Sequence, residues 1–446
     1  VSYTGYQTQE VAVGGSASLD IAMAANNILN EVVVVGYGKQ IKSTLTGNIA
    51  KVGGENLQSM PVVSFEQALQ GQAAGVFVES TNGKVGAANR IRVRGVGSIN
   101  AGTEPLYVVD GIPLSKEARN TAGAAMNPLS DLNFNDIASI EVLKDASAKA
   151  IYGSRGSNGV VLITTKSGRE GKSKIELDVQ IGSSQPTRRR EFLNAAEYVD
   201  YFTEAANNSD DIDGLAYSDP DSWTTFVQSR FTRYSGRNES WKEKIDRTDW
   251  QEEALRQGSI RNTNLSFSGG NDKIRYYASA NMGNIEGIII SNAMQKNGGR
   301  VNLDFNATKR LKVGINLNVA RTFTDQVTND NAFSTPMQLV AMSPITPTRD
   351  ANGVLYDRPV TTYYNGLIEV EDSKRRVNTL RTLGTVFGDY SFTPHLSLRV
   401  EGSANLYNVR DEASFGRRTD EGNDSNGAAY VASAYATDYN TNAVLR

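Results

Sequence analysis

The sequence predicts two architectures in succession: a compact mixed α/β domain over residues 45–170, then strands of a transmembrane β-barrel over residues 171–446. Three observations carry this. Between about 45 and 168, short strand-like runs are separated by Gly-rich or Asn-rich turns and interrupted by short helical stretches. After Gly171, apolar and polar residues alternate strictly through runs of about ten residues or more, the length needed to cross a bilayer with tilt. The connectors also alternate, with short turns such as Gly269-Gly270-Asn271-Asp272 set against long polar stretches near 184–258 and 324–374. Period two alone would equally suit a half-buried sandwich strand; strand length and the one-sided connectors favour the barrel.

Composition narrows the function. Hydrophobic residues are 39% of 446, charged residues 21%, and 46 Lys+Arg stand against 49 Asp+Glu for a net charge of −3. No overall basic field collects nucleic acid. With no cysteine and one histidine, His395, the chain has no disulfide, no thiolate nucleophile, no Cys-ligated zinc and no multi-His metal site. No apolar run approaches the length of a transmembrane helix, and Val1 opens a strand-like run without a charged n-region and apolar segment, so the start is expected to be processed or cut.

The elements follow in order. Residues 1–25 alternate and turn at Gly14-Gly15, as the last strands of a small β domain would. The four valines Val32 to Val35 have high strand propensity, and a buried strand is their plain reading. Ser64-Phe65-Glu66-Gln67 forms a capping box that opens a short helix ending at Gly71. Strands are expected at 75–80, 90–95 and 104–114, then through Ser139 to Lys144. Asp145 should cap a helix over 146–150, Gly153 should end it, and 159–166 should form the last strand of the domain. Beyond Gly171, Ile175, Leu177, Val179 and Ile181 alternate with Glu176, Asp178 and Gln180; Leu311 to Val319 and Leu396 to Leu406 repeat the pattern.

Several motifs fail on inspection. Gly171-Lys172-Ser173 resembles the end of a phosphate-binding loop, but the first required glycine falls at Lys166 and a strand follows. Gly95-Val96-Gly97 needs a third glycine where Asn100 stands. Ser209, Asp211, Asp213 and Gly214 echo the start of a calcium loop, yet Pro220 occupies the bidentate acid position, so a solvated acidic loop is expected. The clusters Arg188-Arg189-Arg190 and Lys374-Arg375-Arg376 read as solvated or headgroup-facing loop residues. Paired carboxylates of a glycoside hydrolase could sit among the 49 acids, but no spacing singles out a pair.

Glu31 to Gly38 (EVVVVGYG), Leu69 to Val76 (LQGQAAGV), Ile91 to Gly95 (IRVRG), Pro105 to Pro113 (PLYVVDGIP) and Ile140 to Gly168, taken in this order, resemble the plug domain of SusC-like TonB-dependent transporters of the Bacteroidetes outer membrane. The resemblance continues through Thr248-Asp249-Trp250-Gln251, the stretch from Ser266 and LKVGINLN from Leu311. It implies a transmembrane β-barrel with an N-terminal α/β plug domain, this chain being the N-terminal part of a barrel of about 22 strands. Residues 1–25 would end a carboxypeptidase-regulatory-like extension, 26–44 would hold the TonB box and linker, 45–170 the plug, and 171–446 the first strands, roughly eight with their loops.

The resemblance further implies import of oligosaccharides or oligopeptides, powered through TonB with ExbB and ExbD, beneath a SusD-like surface lipoprotein acting as a lid. It implies no catalysis, no cofactor and no metal. Glu31, Val32, Val33, Val34, Val35, Gly36, Tyr37 and Gly38 would form the TonB box. Its valine run can add as a strand to a partner's edge, with Gly36 and Gly38 letting it unhook. Arg92, Arg94, Asp110 and Glu141, on neighbouring plug strands, are expected to form a polar network. Ser80 to Asn89 and Ser98 to Thr103 are candidate lumen loops, and Tyr363 and Tyr364 candidate interface aromatics. A TonB-dependent siderophore or cobalamin receptor, and a soluble β-sandwich glycan-binding adhesin, are the alternatives.

Overall fold

A computed structural model describes residues 32–35, 38–41, 49–55, 64–80, 82–98, 102–114, 127, 129–145, 150–327, 336–356 and 365–446. The expected β remnant at 1–25, Tyr363 and Tyr364, and residues 146–149 of the helix expected over 146–150 lie outside them. The valine run forms β1 (Val32–Val35), paired antiparallel with β2 (Gly38–Ile41) so that Val32 meets Ile41 and Val35 meets Gly38.

The α/β domain is built on a five-stranded sheet ordered β3-β8-β9-β6-β7, comprising β3 (Ile49–Gly53), β6 (Leu106–Val109), β7 (Ile112–Pro113), β8 (Ile137–Leu143) and β9 (Val160–Thr165). Only β6 and β9 run parallel. The central strands read Ile-Val-Leu on both faces because both are covered: Ile140, Val142, Val161 and Ile163 share one buried cluster with Leu69 and Ile91, while Leu143, Val160 and Leu162 pack with Leu106 and Tyr152. Leu69 follows helix α1 (Phe65–Ala68), and Ile91 lies on the separate hairpin β4 (Val76–Ser80) and β5 (Asn89–Val93). Ser64 Oγ accepts the Gln67 amide as expected, at 3.3 Å, while the Gln67 side chain donates to Ser80 Oγ at 3.2 Å and so ties the helix to the hairpin. Residues 150–156 wind as 3-10 turns kinked at Gly153, whose φ is +58°.

From Gly171 the chain forms one eight-stranded antiparallel meander in sequence order: β10 (Gly171–Ser184), β11 (Gly258–Gly270), β12 (Ile274–Glu286), β13 (Ala293–Asn306), β14 (Leu311–Asp325), β15 (Ser373–Thr393), β16 (Leu396–Phe415) and β17 (Ala428–Leu445). Three connectors, 271–273, 307–310 and 394–395, lie at one end of this wall, and the long ones, 185–257 and 326–372, at the other. Polarity is inverted relative to a soluble sheet. Ile175, Leu177 and Ile181 are 68%, 67% and 79% exposed, whereas Asn264, Ser266, Arg300, Asn302, Thr322 and Thr324 on the opposite face are buried. A sandwich buries its apolar face; this wall presents it outward, as a surface solvated by lipid requires.

The long connectors are not simple polar loops. Helix α2 (Ala195–Asp213) starts in a complete capping box, Asn194 with Glu197, and ends at Gly214 in the left-handed conformation. It packs on α3 (Trp223–Tyr234) through Ala195, Val199, Phe231 and Trp241, with Ile345 arriving from the other long connector. Asp249 caps α4 (Trp250–Ala254), and Trp250 is buried against Leu339 and Met342 with its indole N–H donating to the Ser343 carbonyl at 3.0 Å. The two connectors thus fold as one cap.

Two expectations are corrected. The acids near 209–214 are exposed at Asp211 and Asp213, as expected, but they form the last turn of α2 and not a loop, and their neighbour Asp210 is buried: it accepts the amides of Trp223 at 2.6 Å and Thr224 at 3.0 Å, holding the start of α3, while Asp213 accepts the Trp223 indole. Lys374-Arg375-Arg376 is not a solvated cluster. Arg375 is buried on β15 in a bidentate pair with Asp411 of β16 at 3.1 and 2.7 Å, and Arg376 grips Asp325 of β14, because the alternation turns Arg375 inward.

Candidate functional site

The candidate site is the surface on which the α/β domain meets the polar face of the wall. β6 and β7 are joined by Asp110-Gly111, a two-residue hairpin turn in which both residues have positive φ, +48° and +86°. Such a turn favours Asp-Gly, since Gly lacks a Cβ and Asp tolerates the left-handed region. The turn delivers the Asp110 carboxylate to two tasks. It accepts the Thr165 amide at 2.9 Å and hydroxyl at 2.8 Å, bracing β9, and it pairs with the Arg300 guanidinium of β13. Arg300 is only 3% exposed along its side chain, so the pair is desolvated and each charge depends on the other.

A second buried pair joins Asp131 to Arg381 of β15, with Arg381 Nε 3.2 Å from the carboxylate and its guanidinium 4.5 Å from the Tyr407 ring centre. Between these pairs the wall residue Leu383 enters the domain's own apolar cluster. Asn302 donates to the Lys166 carbonyl at 2.6 Å, and Tyr277 of β12 donates to Asp136 at 2.8 Å. At the end near the long connectors, Asn292 accepts the Val85 amide at 2.6 Å while Val85 packs on Ile285 and Met294. Burial pushes the Glu66 carboxyl up, opposed by hydrogen bonds from its own backbone, Ser64 and Asn127 and by the Lys296 ammonium on the wall. The docking is therefore largely polar and specific: carboxylates of the domain meet cations of the wall, with apolar contact at Leu383 and where Val85 packs on Ile285 and Met294.

The residues singled out from the sequence are distributed over this frame. Asp110 is at its centre. Glu141 is 1% exposed, accepts Ser139 Oγ at 3.2 Å and lies directly opposite Lys51 in the sheet register. Arg92 faces Glu79 at 3.9 Å, and Arg94, half exposed, pairs with Asp145 at 2.5 Å. Each has a partner of its own, because the hairpin β4–β5 carrying the arginines is separate from the main sheet. Of the residues expected to form the TonB box, Val32 to Val35 and Gly38 lie within β1 and β2; Glu31, Gly36 and Tyr37 are outside the described residues. Arg300, Arg381 and Asp131 escaped the sequence reading, although an arginine on the polar side of a long alternating run is an available signal. Among the described residues no group of His, Cys, Asp or Glu could hold a metal ion.

Comparison with known proteins agrees with this geometry. A family model, the TonB-dependent Receptor Plug Domain, matches residues 41–160. TonB-dependent receptor P26 of Formosa agariphila is 37% identical over 405 residues, covering 87% of this chain and 36% of its own length. TonB-dependent receptor SusC of Bacteroides thetaiotaomicron is 32% identical over 310 residues, covering 68% of this chain and 27% of its own length. The chain thus spans about a third of these relatives or less. Among solved structures, the RagAB peptide importer in its open-open state superposes with a TM-score of 0.71 at 26% identity, covering 86% of this chain and 43% of that one. A plug domain docked on the polar face of an outward-apolar β wall, with these relatives, places the chain in the SusC-like family of TonB-dependent outer-membrane transporters.

Proposed function

We propose that the protein imports large nutrients, oligosaccharides or oligopeptides, across the outer membrane of a Gram-negative bacterium, using energy delivered through TonB with ExbB and ExbD. The observation that carries this is the inverted wall: apolar residues face outward for lipid while the polar face grips a folded domain that must move before anything large passes. The chain does no covalent chemistry in this reading; its work is to hold and release the plug. Val32 to Val35, whose pairing with Gly38–Ile41 leaves one strand edge open among the described residues, is the coupling strand, adding to an edge of TonB. A SusD-like lipoprotein covers the mouth, as a partner of the kind implied for this family, and the RagAB relative is named a peptide importer.

Replacing Val33 and Val35 with proline removes two ladder donors from the coupling strand. Uptake of the nutrient that supports growth should be abolished while binding at the cell surface stays intact. Normal growth of that variant on the nutrient would refute the coupling role.

A further inference from the structure

Charge is segregated on the outward face of β14, β15 and β16. From the short-turn end, its alternate positions are uncharged and mostly apolar: Leu311 to Val319 on β14, Phe392 to Leu380 on β15 and Leu396 to Leu406 on β16. Every charged outward residue of these strands lies beyond that run, at the long-connector end: Arg321, Asp325, Lys374, Arg376, Arg410 and Glu412. All three strands are paired on both sides, so the patch is interior to the wall and away from its two edges.

Asn378 of β15 is the centre of the patch. Arg410 stands directly opposite it on β16, and from β14 Arg321 Nε donates to its side-chain carbonyl at 3.1 Å. Two residues along the same face, Arg376 forms a bidentate pair with Asp325 at 2.6 and 2.8 Å, while Arg410 Nε donates to Glu412 at 2.5 Å. Those two pairs use both acids. Arg321 and Lys374, both exposed, have no carboxylate partner among the described residues, so four cations against two acids leave two positive charges over. Arg321 is nevertheless held in place, its guanidinium 4.6 Å from the Phe323 ring centre and its Nε spent on Asn378. Its two terminal amino groups remain unspent, as do the amide N–H donors of Asn378, and a guanidinium fork of this kind matches the oxygens of a phosphate.

We infer that this patch binds the phosphate of an anionic membrane lipid. Arg321 and Arg410 flank the phosphate at Asn378, Lys374 and Arg376 add charge beyond it, and the acyl chains lie on Val319, Leu380 and Leu406. The depth fits, because the cations begin where the outward apolar run ends, at the level of the headgroups. The charge fits as well, since an unbalanced pair of cations beside a membrane attracts anionic lipid. The inference rests on the transmembrane reading of the wall and assigns a ligand to its lipid-facing side.

The test uses the full-length receptor, extracted from membranes in a neutral maltoside detergent and titrated with diphosphoryl lipid A, bound lipid being counted by native mass spectrometry. Arg321→Gln, Lys374→Gln and Arg410→Gln together should raise the apparent Kd about a hundredfold. Glu412→Gln frees Arg410 at an exposed position and should tighten binding. Lys309→Gln with Arg310→Gln, in the turn at the opposite end of the wall, should leave it unchanged. Equal affinity of the triple variant and the parent, weaker binding by Glu412→Gln, or an equal loss from the turn variant overturns the inference. Equal binding of lipid A stripped of its phosphates also overturns it, and inorganic phosphate that displaces the lipid at equimolar concentration would assign the site to a free anion instead. Recovery of the receptor in the soluble fraction, with none in membranes, would overturn the transmembrane reading itself, a result distinct from failure of the lipid site.

Discussion

The Asp110–Arg300 pair supports the sharpest test of how the plug is retained. Asp110→Ala leaves Arg300 buried without its carboxylate and strips the acceptor from the Thr165 amide and hydroxyl. Removing one partner of a buried pair costs about 3–5 kcal/mol; because the Asp110 side chain keeps 14% exposure, the lower end of that range, about 3 kcal/mol, is expected. At about 1.4 kcal/mol per factor of ten, the undocked population rises about a hundredfold. Limited proteolysis of the receptor in detergent reads that population directly when reclosing outpaces cleavage. Asp110→Asn keeps the turn, since Asn tolerates positive φ, and loses only the charge. Combining it with Arg300→Met removes both charges and should recover much of the loss. Cleavage of Asp110→Ala at the parent rate, or a double variant more labile than either single one, would refute the reasoning.

Other outcomes follow from the same structure. Arg375→Ala should destabilise the wall by about 3–5 kcal/mol through stranded Asp411, seen as a lowered melting temperature of the barrel in detergent. Trp250→Ala should cost about 3–5 kcal/mol locally and expose both long connectors to protease, leaving the wall intact. The raised Glu66 carboxyl favours the neutral form in the fold, so its contribution is fully present below the ordinary carboxylate range and is lost as pH rises through the raised value. Plug stability should therefore fall as pH rises above the ordinary carboxylate range, and Glu66→Gln should remove that contribution to the slope.

Local periodicity made the wall legible. The alternation from Leu311 to Val319 appears as the lower part of β14, and Leu396 to Leu406 as the start of β16, because period two is imposed by the strand itself. The plug strands were legible for a related reason: Val160 to Thr165 and Ile137 to Leu143 are apolar runs bounded by turn residues. What could not be read was long-range. Asp110 and Arg300 are 190 residues apart, and Asp131 and Arg381 are 250 apart, so neither pair leaves a local pattern. The helices α2 and α3 were hidden in an acidic, polar stretch because their few apolar anchors acquire meaning only against Ile345 from another connector. Arg375 read as a solvated basic cluster because its partner, Asp411, sits on the next strand. The charged site was visible in part, since Asp110 stood in a recognisable turn while its cation did not.

In a bilayer, β10–β17 should stand with their apolar face outward and the plug against the polar one. Spin labels placed singly along β14 in the cysteine-free background test this placement most directly. Labels at Ile315, Leu317 and Val319 should collide with dissolved oxygen and be shielded from a water-soluble relaxing agent in membranes, while labels at Asn316 and Asn318 show the reverse or are shielded from both by the plug, with a period of two. Water accessibility at the odd positions, or burial of those positions from both reagents, would contradict the account and return the wall to a soluble β-sandwich.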